Sequence, residues 1–448
     1  MPNPLTTRYI DECVDRPDLG SAARRLVLPE AYAKSYGHLL LDRPLLADER
    51  EVNGFADDLV VLFDILVALP NRLFDGDLRR YCAALGMDER VAALLCRGAT
   101  GQPLLHGRAD AYHDGTSFKL LEFNVGSELG GTDAAQMNRG FLDVPAFREF
   151  AEGHRLGYVD TASRVASALR TAAESVAAGP EPVVALIEST GGLAAHEHVF
   201  IALREAMADH GIELRLGEIH ELDERGGKLT LHGTPVDVVL RYFAAGELID
   251  DPRSEEMLDQ IMRAHADGRT ALFTPLEGAL FASKGSLGLL HDPRVRESLS
   301  TAEREVVDRV VPWTRLLADG PWQARGDRAE LIDRCRADRA VLVLKPGIGY
   351  GGVGTVIGHE ATDDAWRAAL DNCAGGDYVA QRLVSPAPEP VVDPGGLVEN
   401  WHANWGIFVD RAGYAGGFVR ALKAEDGTVI SYSNPGTRGT CVFTYPGA

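Results

Sequence analysis

Lys345 ends an apolar run, Val341-Leu342-Val343-Leu344, and stands directly before Pro346 and five glycines spread over eight residues: Gly347, Gly349, Gly351, Gly352 and Gly354. The pattern reads as strand, glycine loop, then a second strand through Thr355-Val356-Ile357. Glycines lack Cβ, so their backbone N–H groups can approach an anion closely and take the positive φ values of a phosphate-cradling nest. Lys345 adds a fixed positive charge. Gly347-x-Gly349-x-x-Gly352 matches the dinucleotide fingerprint by letters, but that fingerprint needs a helix starting at the loop, and the chain continues as strand. A Walker loop would need lysine immediately before Thr355, where Gly354 stands. The other reading of the loop is a β-hairpin that holds nothing.

A second constellation lies far upstream. Asp114-Gly115 is a turn signal between two strand-like runs, Gly107 to His113 and Phe118 to Asn124. A period of two puts Arg108 and Asp110 on one face of the first arm, and Glu122 and Asn124 on one face of the second. A hairpin would bring the four together. Two carboxylates and an amide carbonyl, with positions left open for phosphate oxygens, suit Mg²⁺ better than an all-protein cage does. The alternative is a solvated polar face on an edge hairpin.

These motifs need a large scaffold. The chain has 448 residues, which implies two or three intimately packed domains. Its 45% hydrophobic and 25% charged content is that of a globular protein. No run approaches about 20 apolar residues, so no membrane span is expected. The N-terminal residues lack the apolar core of a signal peptide, which points to the cytoplasm. Six scattered cysteines without a C-x-x-C pair fit reduced packing thiols. A formal charge of −21 disfavours nucleic acid and anionic membrane, leaving small molecules or a short peptide as expected partners.

Residues 1–100 alternate helical pattern with short breaks, and Asp57 to Leu69 reads as a helix buried by its neighbours. Gly126-Ser127-Glu128-Leu129-Gly130-Gly131 reads as a flexible small-residue loop. Residues 155–178 read as helical, Pro182 to Glu188 as a buried parallel-type strand, and 180–245 as a small α/β unit. His196-x-His198 is spaced for metal, but its acidic, helical context favours a surface cap. Residues 296–340 read as helical and charged, and Ser385 to Val392 as a stiff loop with too many prolines for a sheet interior.

Glu122-Phe123-Asn124, with Asp110 twelve residues ahead of Glu122, resembles the metal-binding hairpin of ATP-grasp ligases. Leu344-Lys345-Pro346 and its glycine loop resemble the phosphate-covering loop of the same superfamily. The hairpin precedes the loop by more than two hundred residues, an order similar to circularly permuted members such as glutathionylspermidine synthase. The resemblance implies a mixed α+β and α/β architecture: a circularly permuted ATP-grasp fold with an N-terminal helical region and a small α/β, pre-ATP-grasp-like domain. The implied division is 1–100 helical, 101–150 metal hairpin, 151–285 small α/β substrate domain, 286–390 lid with the glycine loop, and 391–448 C-terminal antiparallel part of the core.

The resemblance also nominates residues by position. Lys284 follows a Pro-then-Lys segment that approaches nucleotide phosphates, although Ser283 stands where the family often has Asn. Gln381, Leu383 and Val384 fall at the hinge that hydrogen-bonds adenine through its backbone. Arg420 and Arg438, with Ser433 and Asn434 in the polar loop between them, fall near the phosphates or acyl phosphate. Gly191, Gly192 and Arg241 fall in strand-end loops used for substrate.

The activity implied is ATP-dependent ligation of a small-molecule carboxylate to an amine, with ATP and Mg²⁺. Asp110, Glu122 and Asn124 would hold the metal, while Lys345, Lys284 and Arg108 would clamp the nucleotide and an acyl phosphate. Closure of the glycine loop would keep water from that intermediate. Two other classes remain open: a small-molecule kinase on the same scaffold, and an inactive ATP-binding regulator.

Overall fold

The computed structural model describes residues 3–177, 179, 181–249, 251–317, 325–349, 351–373 and 377–447. In chain order its strands begin with β1 Leu45–Asp48, β2 His106–His113 and β3 Phe118–Val125. Next come β4 Val183–Glu188, β5 Glu213–Glu218, β6 Leu222–Arg225, β7 Lys228–Leu231, β8 Thr234–Pro235, β9 Val238–Arg241 and β10 Ala271–Phe273. Then follow β11 Thr314–Leu316, β12 Leu342–Pro346, β13 Val356–Ile357 and β14 Tyr378–Arg382. The last four are β15 Pro388–Val392, β16 Val398–Asp410, β17 Gly413–Lys423 and β18 Arg438–Tyr445.

The largest sheet runs β1-β18-β17-β16-β2-β3, with β15 on the first half of β16. All its pairs are antiparallel except β1 with β18. Helix Glu49–Phe74 lies across it and buries Val52, Phe55, Leu59, Leu62, Phe63 and Leu66, the spacing of one helical face. Phe63 meets Phe123 of β3 edge to face, which fixes the hairpin against this helix.

A second sheet, β10-β9-β4-β5, is wholly parallel. Its strands β4, β9 and β10 are near-continuous apolar runs because they are covered on both faces, while the edge strand β5 alternates polar and apolar residues. Helices Thr161–Ala173 and Gly192–Ala208 contribute Val165, Leu169, Phe200 and Leu203 to one buried cluster with Val184 and Leu186. The third sheet, β11-β14-β12-β13, is antiparallel and carries the glycine loop between β12 and β13. Its outer face packs on helices Arg325–Ala337 and Asp363–Asn372 through Leu331, Trp366 and Leu370. No described helix is long and apolar enough to cross a membrane.

Three segments depart from the reading above. Leu45–Asp48 lies within the stretch read as helical yet forms β1, because β18 offers it a parallel edge. Thr314–Leu316 interrupts the helical 296–340 stretch as β11, paired to β14. Pro388–Val392 is a strand rather than a loop. It pairs only with β16, and an edge position tolerates proline because its outer side needs no donor. Buried Arg43 clamps this edge, donating to Pro390 O at 2.7 Å and pairing with Glu389 at 2.6 Å.

Candidate active site

The β2–β3 register sets Arg108 opposite Asn124 and Asp110 opposite Glu122, with the register shifting just after Asp110. The four polar residues therefore share a patch on the hairpin. On its other side β2 pairs with β16, where Gly406 faces Asp110. A Cβ at Gly406 would lie 2.9 Å from Arg108 Cδ, so glycine here lets the arginine lie flat over the sheet.

Each carboxylate meets its own cations. Asp110 is 2% exposed; Arg108 Nε donates to Oδ1 at 2.8 Å and Arg420 Nη2, from β17, to Oδ2 at 2.5 Å. Burial pushes its carboxyl upward, but the two guanidinium groups outweigh that and hold it well below the usual carboxylate range. Glu122 pairs with Lys284 Nζ at 3.0 Å.

Lys284 opens a short helix, Lys284–Leu289, whose N-cap is Ser283: the serine Oγ accepts from Gly285 N at 3.1 Å. The departure from Asn at 283 therefore keeps a capping side chain. Lys284 also holds the glycine loop, donating from Nζ to Gly349 O at 3.1 Å and from its backbone to Gly347 O at 2.8 Å. Lys345 enters from β12, where burial lowers its pKa to about 8, and donates to Gln381 Oε1 at 2.7 Å. Asp377 ties the loop's entry, accepting from Ile348 N at 3.1 Å.

Most of the charged groups among these line one cleft of about 110 Å³, whereas Arg108 and Asn124 line an adjoining compartment. Asp110, Glu122, Lys284, Lys345 and Arg420 meet in the cleft from two sheets and a helix, with Gly349, Gly351 and Gly352 along one side. Gly351 and Gly352 have φ values of +65° and +79°, as the nest reading expects. Gly354 also has positive φ, at +74°, but lies beyond the lining; Tyr350 lies outside the described residues.

The remaining nominated residues separate into those near the cleft and those away from it. Leu383 and Val384 line it, although Leu383 N–H already donates to Val341 O at 2.9 Å. Gln381 differs from the hinge expectation: its backbone sits inside the sheet between β11 and β12, and its amide serves Lys345 and Thr314. Arg438 turns to its own loop, donating to Pro435 O and Thr437 O at 3.0 and 3.1 Å, and does not line the cleft. Ser433 reaches Gly351 O at 3.4 Å, whereas Asn434 only supports its own turn through Gly436 N.

Gly191 and Gly192 lie at the end of β4 and start helix Gly192–Ala208 without lining the cleft. Arg241 is 1% exposed, with its guanidinium taken by Thr274 O, Phe243 O and Glu128, so it supports a wall and presents nothing itself. The Gly126–Gly131 loop is pinned: Ser127 Oγ bonds Arg241 O, Phe273 O and Thr274 N, joining the hairpin to the parallel sheet. His196 and His198 are both exposed, and no group of three His, Cys, Asp or Glu side chains suited to metal occurs among the described residues.

Asn404 escaped sequence reasoning. It sits on β16 opposite Arg420 and lines the cleft, 7% exposed, with an Oδ1 that has no hydrogen-bond partner. Only the pairing of β16 with β17 assigns its face. Asn404 thus adds an orphaned acceptor oxygen to two carboxylates. An all-oxygen donor set of this kind fits Mg²⁺.

The fold is similar to that of a solved glutathione synthetase-like effector. A glutathione synthetase-like effector from Globodera pallida, solved in its apo form, superposes with a TM-score of 0.58 at 14% identity, covering 98% of this chain and 97% of that one. A protein named as a candidate gamma-glutamylcysteine synthetase from Methylobacillus flagellatus gives 0.43 at 15% identity over 85% and 88%, too loose a likeness to argue from. No protein-family model and no curated protein matches the sequence. At this identity the likeness speaks for the fold alone.

Proposed function

We propose that this protein is an ATP-dependent ligase that joins a carboxylate to an amine, built on an ATP-grasp scaffold whose segments run in permuted order. The observation that carries the reading is the opposed pair Asp110 and Glu122, ringed by Arg108, Arg420, Lys284 and Lys345 beneath a glycine loop with positive-φ backbone. Four cations around two carboxylates leave a surplus of positive charge, which is what a polyphosphate requires in a protein of net charge −21.

Lys345 and Lys284 would bind phosphate oxygens, and the loop N–H groups would cradle them. Asp110, Glu122 and Asn124 would hold Mg²⁺, with Asn404 beside them, and the ion would supply charge neutralisation where it touches phosphate. The acid's carboxylate attacks the γ-phosphorus and displaces ADP, leaving an acyl phosphate. Arg108 and Arg420 stabilise its added negative charge. A neutral amine then attacks the acyl carbon and phosphate leaves. No protein nucleophile takes part, so the side chains serve to orient, to neutralise and to exclude water.

The test is Mg²⁺-dependent ADP release from ATP with pooled amino acids, amines and short carboxylic acids, alongside Glu122→Ala and Lys345→Ala. Turnover that needs both an acid and an amine, and is lost in both variants, is the expected result. ADP release that never depends on an amine would instead indicate a kinase, and a protein that binds no ATP would sink the nucleotide reading.

A further inference from the structure

The six cysteines are scattered along the sequence, yet the fold brings two of them together: Cys82 Sγ and Cys96 Sγ lie 3.7 Å apart. Cys82 sits in helix Leu78–Leu85 and is wholly buried, whereas Cys96 ends helix Glu89–Leu95 as its C-cap. Of the six thiols, Cys96 is the one that is not buried. A hydrogen bond from Cys82, together with the Arg79 guanidinium, lowers the Cys96 thiol pKa, while the same hydrogen bond and burial raise that of Cys82. One sulfur is thus reachable and prone to ionise, and a second stands behind it, the arrangement of an attacked and a resolving thiol.

Both cysteines belong to elements that support the Lys284 segment. Tyr81, next to Cys82, donates from its hydroxyl to Ser286 Oγ at 2.8 Å, inside the helix that Lys284 opens. Just past Cys96, Thr100 Oγ1 and Gly101 N donate to Glu277 Oε1 and Oε2, both at 2.9 Å. Glu277 is 2% exposed and stands before the short helix Gly278–Ala282, which leads to Ser283 and Lys284. The segment is therefore held at its two ends by the two stretches of chain that the cysteines join.

We propose that Cys82 and Cys96 are a modification site, which a hydroperoxide converts into a reversible disulfide that ties the two supports of the Lys284 segment to each other. The inference stands whether or not the chain is a ligase. With hydrogen peroxide, the Cys96 thiolate attacks one oxygen and the O–O bond breaks; the departing hydroxide takes up a proton as water, and Cys96 becomes a sulfenic acid. The Cys82 sulfur then attacks the Cys96 sulfur. Its proton goes to the leaving hydroxide, a second water departs, and the S–S bond forms; the pair has given two electrons to the peroxide. The sulfurs close from 3.7 Å to about 2.0 Å, a movement that falls on Cys96 because the Cys82 side chain is packed in the core. A dithiol reverses the bond by exchange.

The test takes the full chain, folded and reduced, through a hydrogen peroxide titration followed by alkylation and tryptic mapping. Cleavage after Arg80, Arg90 and Arg97 puts the two cysteines on separate peptides, Tyr81–Arg90 and Val91–Arg97, so the bridge appears as a linked pair. Wild type is expected to lose two of its six thiols and to recover both with dithiothreitol. Cys82→Ala should leave Cys96 as a sulfenic acid that dimedone labels, and Cys96→Ser should lower dimedone labelling at Cys82 about tenfold or more relative to that. In the bridged form the amides of Lys284–Leu289 should exchange with deuterium about threefold or more slowly than in the reduced form, since their supports can no longer part. Earlier loss of the other thiols, a sulfinic acid at Cys96 with no linked pair, a bridge between two chains, or unchanged exchange over Lys284–Leu289 overturns the proposal. Mapping and exchange are read on wild type, so a variant that fails to fold leaves the test intact.

Discussion

Asp110 and Glu122 face one another directly across the β2–β3 hairpin, yet they are neutralised from different directions: Asp110 by Arg108 and Arg420, Glu122 by Lys284. The pair therefore ties the hairpin to β17 on one side and to the glycine loop's anchor on the other.

The two carboxylates should differ in what they do for stability. Asp110→Asn leaves two guanidinium groups facing a neutral amide in a site where the aspartate is 2% exposed, and should cost about 3–5 kcal/mol. Glu122→Gln, with a side chain 25% exposed, should cost about 1 kcal/mol or less. Urea unfolding of both variants measures the difference, and equal losses would mean that the arginines find other partners.

Activity should part from stability at Glu122 and Lys345. Glu122→Ala and Lys345→Ala should each lower ADP release by about a hundredfold or more, as expected of groups that act on developing charge. Their urea midpoints should move little beside that of Asp110→Asn, so that a kinetic loss without an unfolding loss separates role from structure.

Gly352→Ala should raise KM for ATP about tenfold while changing kcat less, since both states of the reaction use the same cradle. The position has φ +79°, and an added Cβ would lie 2.7 Å from Val429 Cγ1, so the loop must shift. Initial rates over a range of ATP concentrations check this; an unchanged KM would show that the loop does not bear on nucleotide.

Asp133 gives the chain a pH signature unrelated to turnover. Burial raises its carboxyl pKa to about 7, and its Oδ2 lacks a partner. The unfolded value is about 3.9, so between pH 4 and 7 the unfolded chain loses the proton that the folded chain keeps. Stability then falls as pH rises through that window, by up to about 1.4 kcal/mol per unit, and levels off above it. Asp133→Asn should melt higher than wild type at pH 8 and by a smaller margin at pH 5. A margin independent of pH would disprove the assignment.

The hairpin was legible in part: an Asp-Gly turn marks it, and alternation pairs Arg108 with Asp110 and Glu122 with Asn124, but it is the register shift just after Asp110, which no sequence rule supplied, that brings the two pairs to one face. The glycine loop was legible because the strand after it excludes the helix that a dinucleotide site needs. What stayed hidden depends on partners distant in sequence. Leu45–Asp48 carries no strand signal of its own and becomes one only beside β18. Arg241 looks like any strand-end arginine until Thr274 and Phe243 close over it. Asn404 needed the β16–β17 register before its face could be assigned.

The neighbouring of β1 and β18 has a consequence for synthesis. A strand at residues 45–48 gains its partner only when residues 438–445 have left the ribosome, and Arg420 reaches Asp110 only after β16 and β17 are both made. Until then the early hairpin and its long helix must wait with an open edge, the state in which nascent chains aggregate. Expression at lower temperature, or with a holdase chaperone, should therefore raise the yield of this protein more than stabilising the parallel β4–β5 unit, whose pairs are complete two hundred residues earlier.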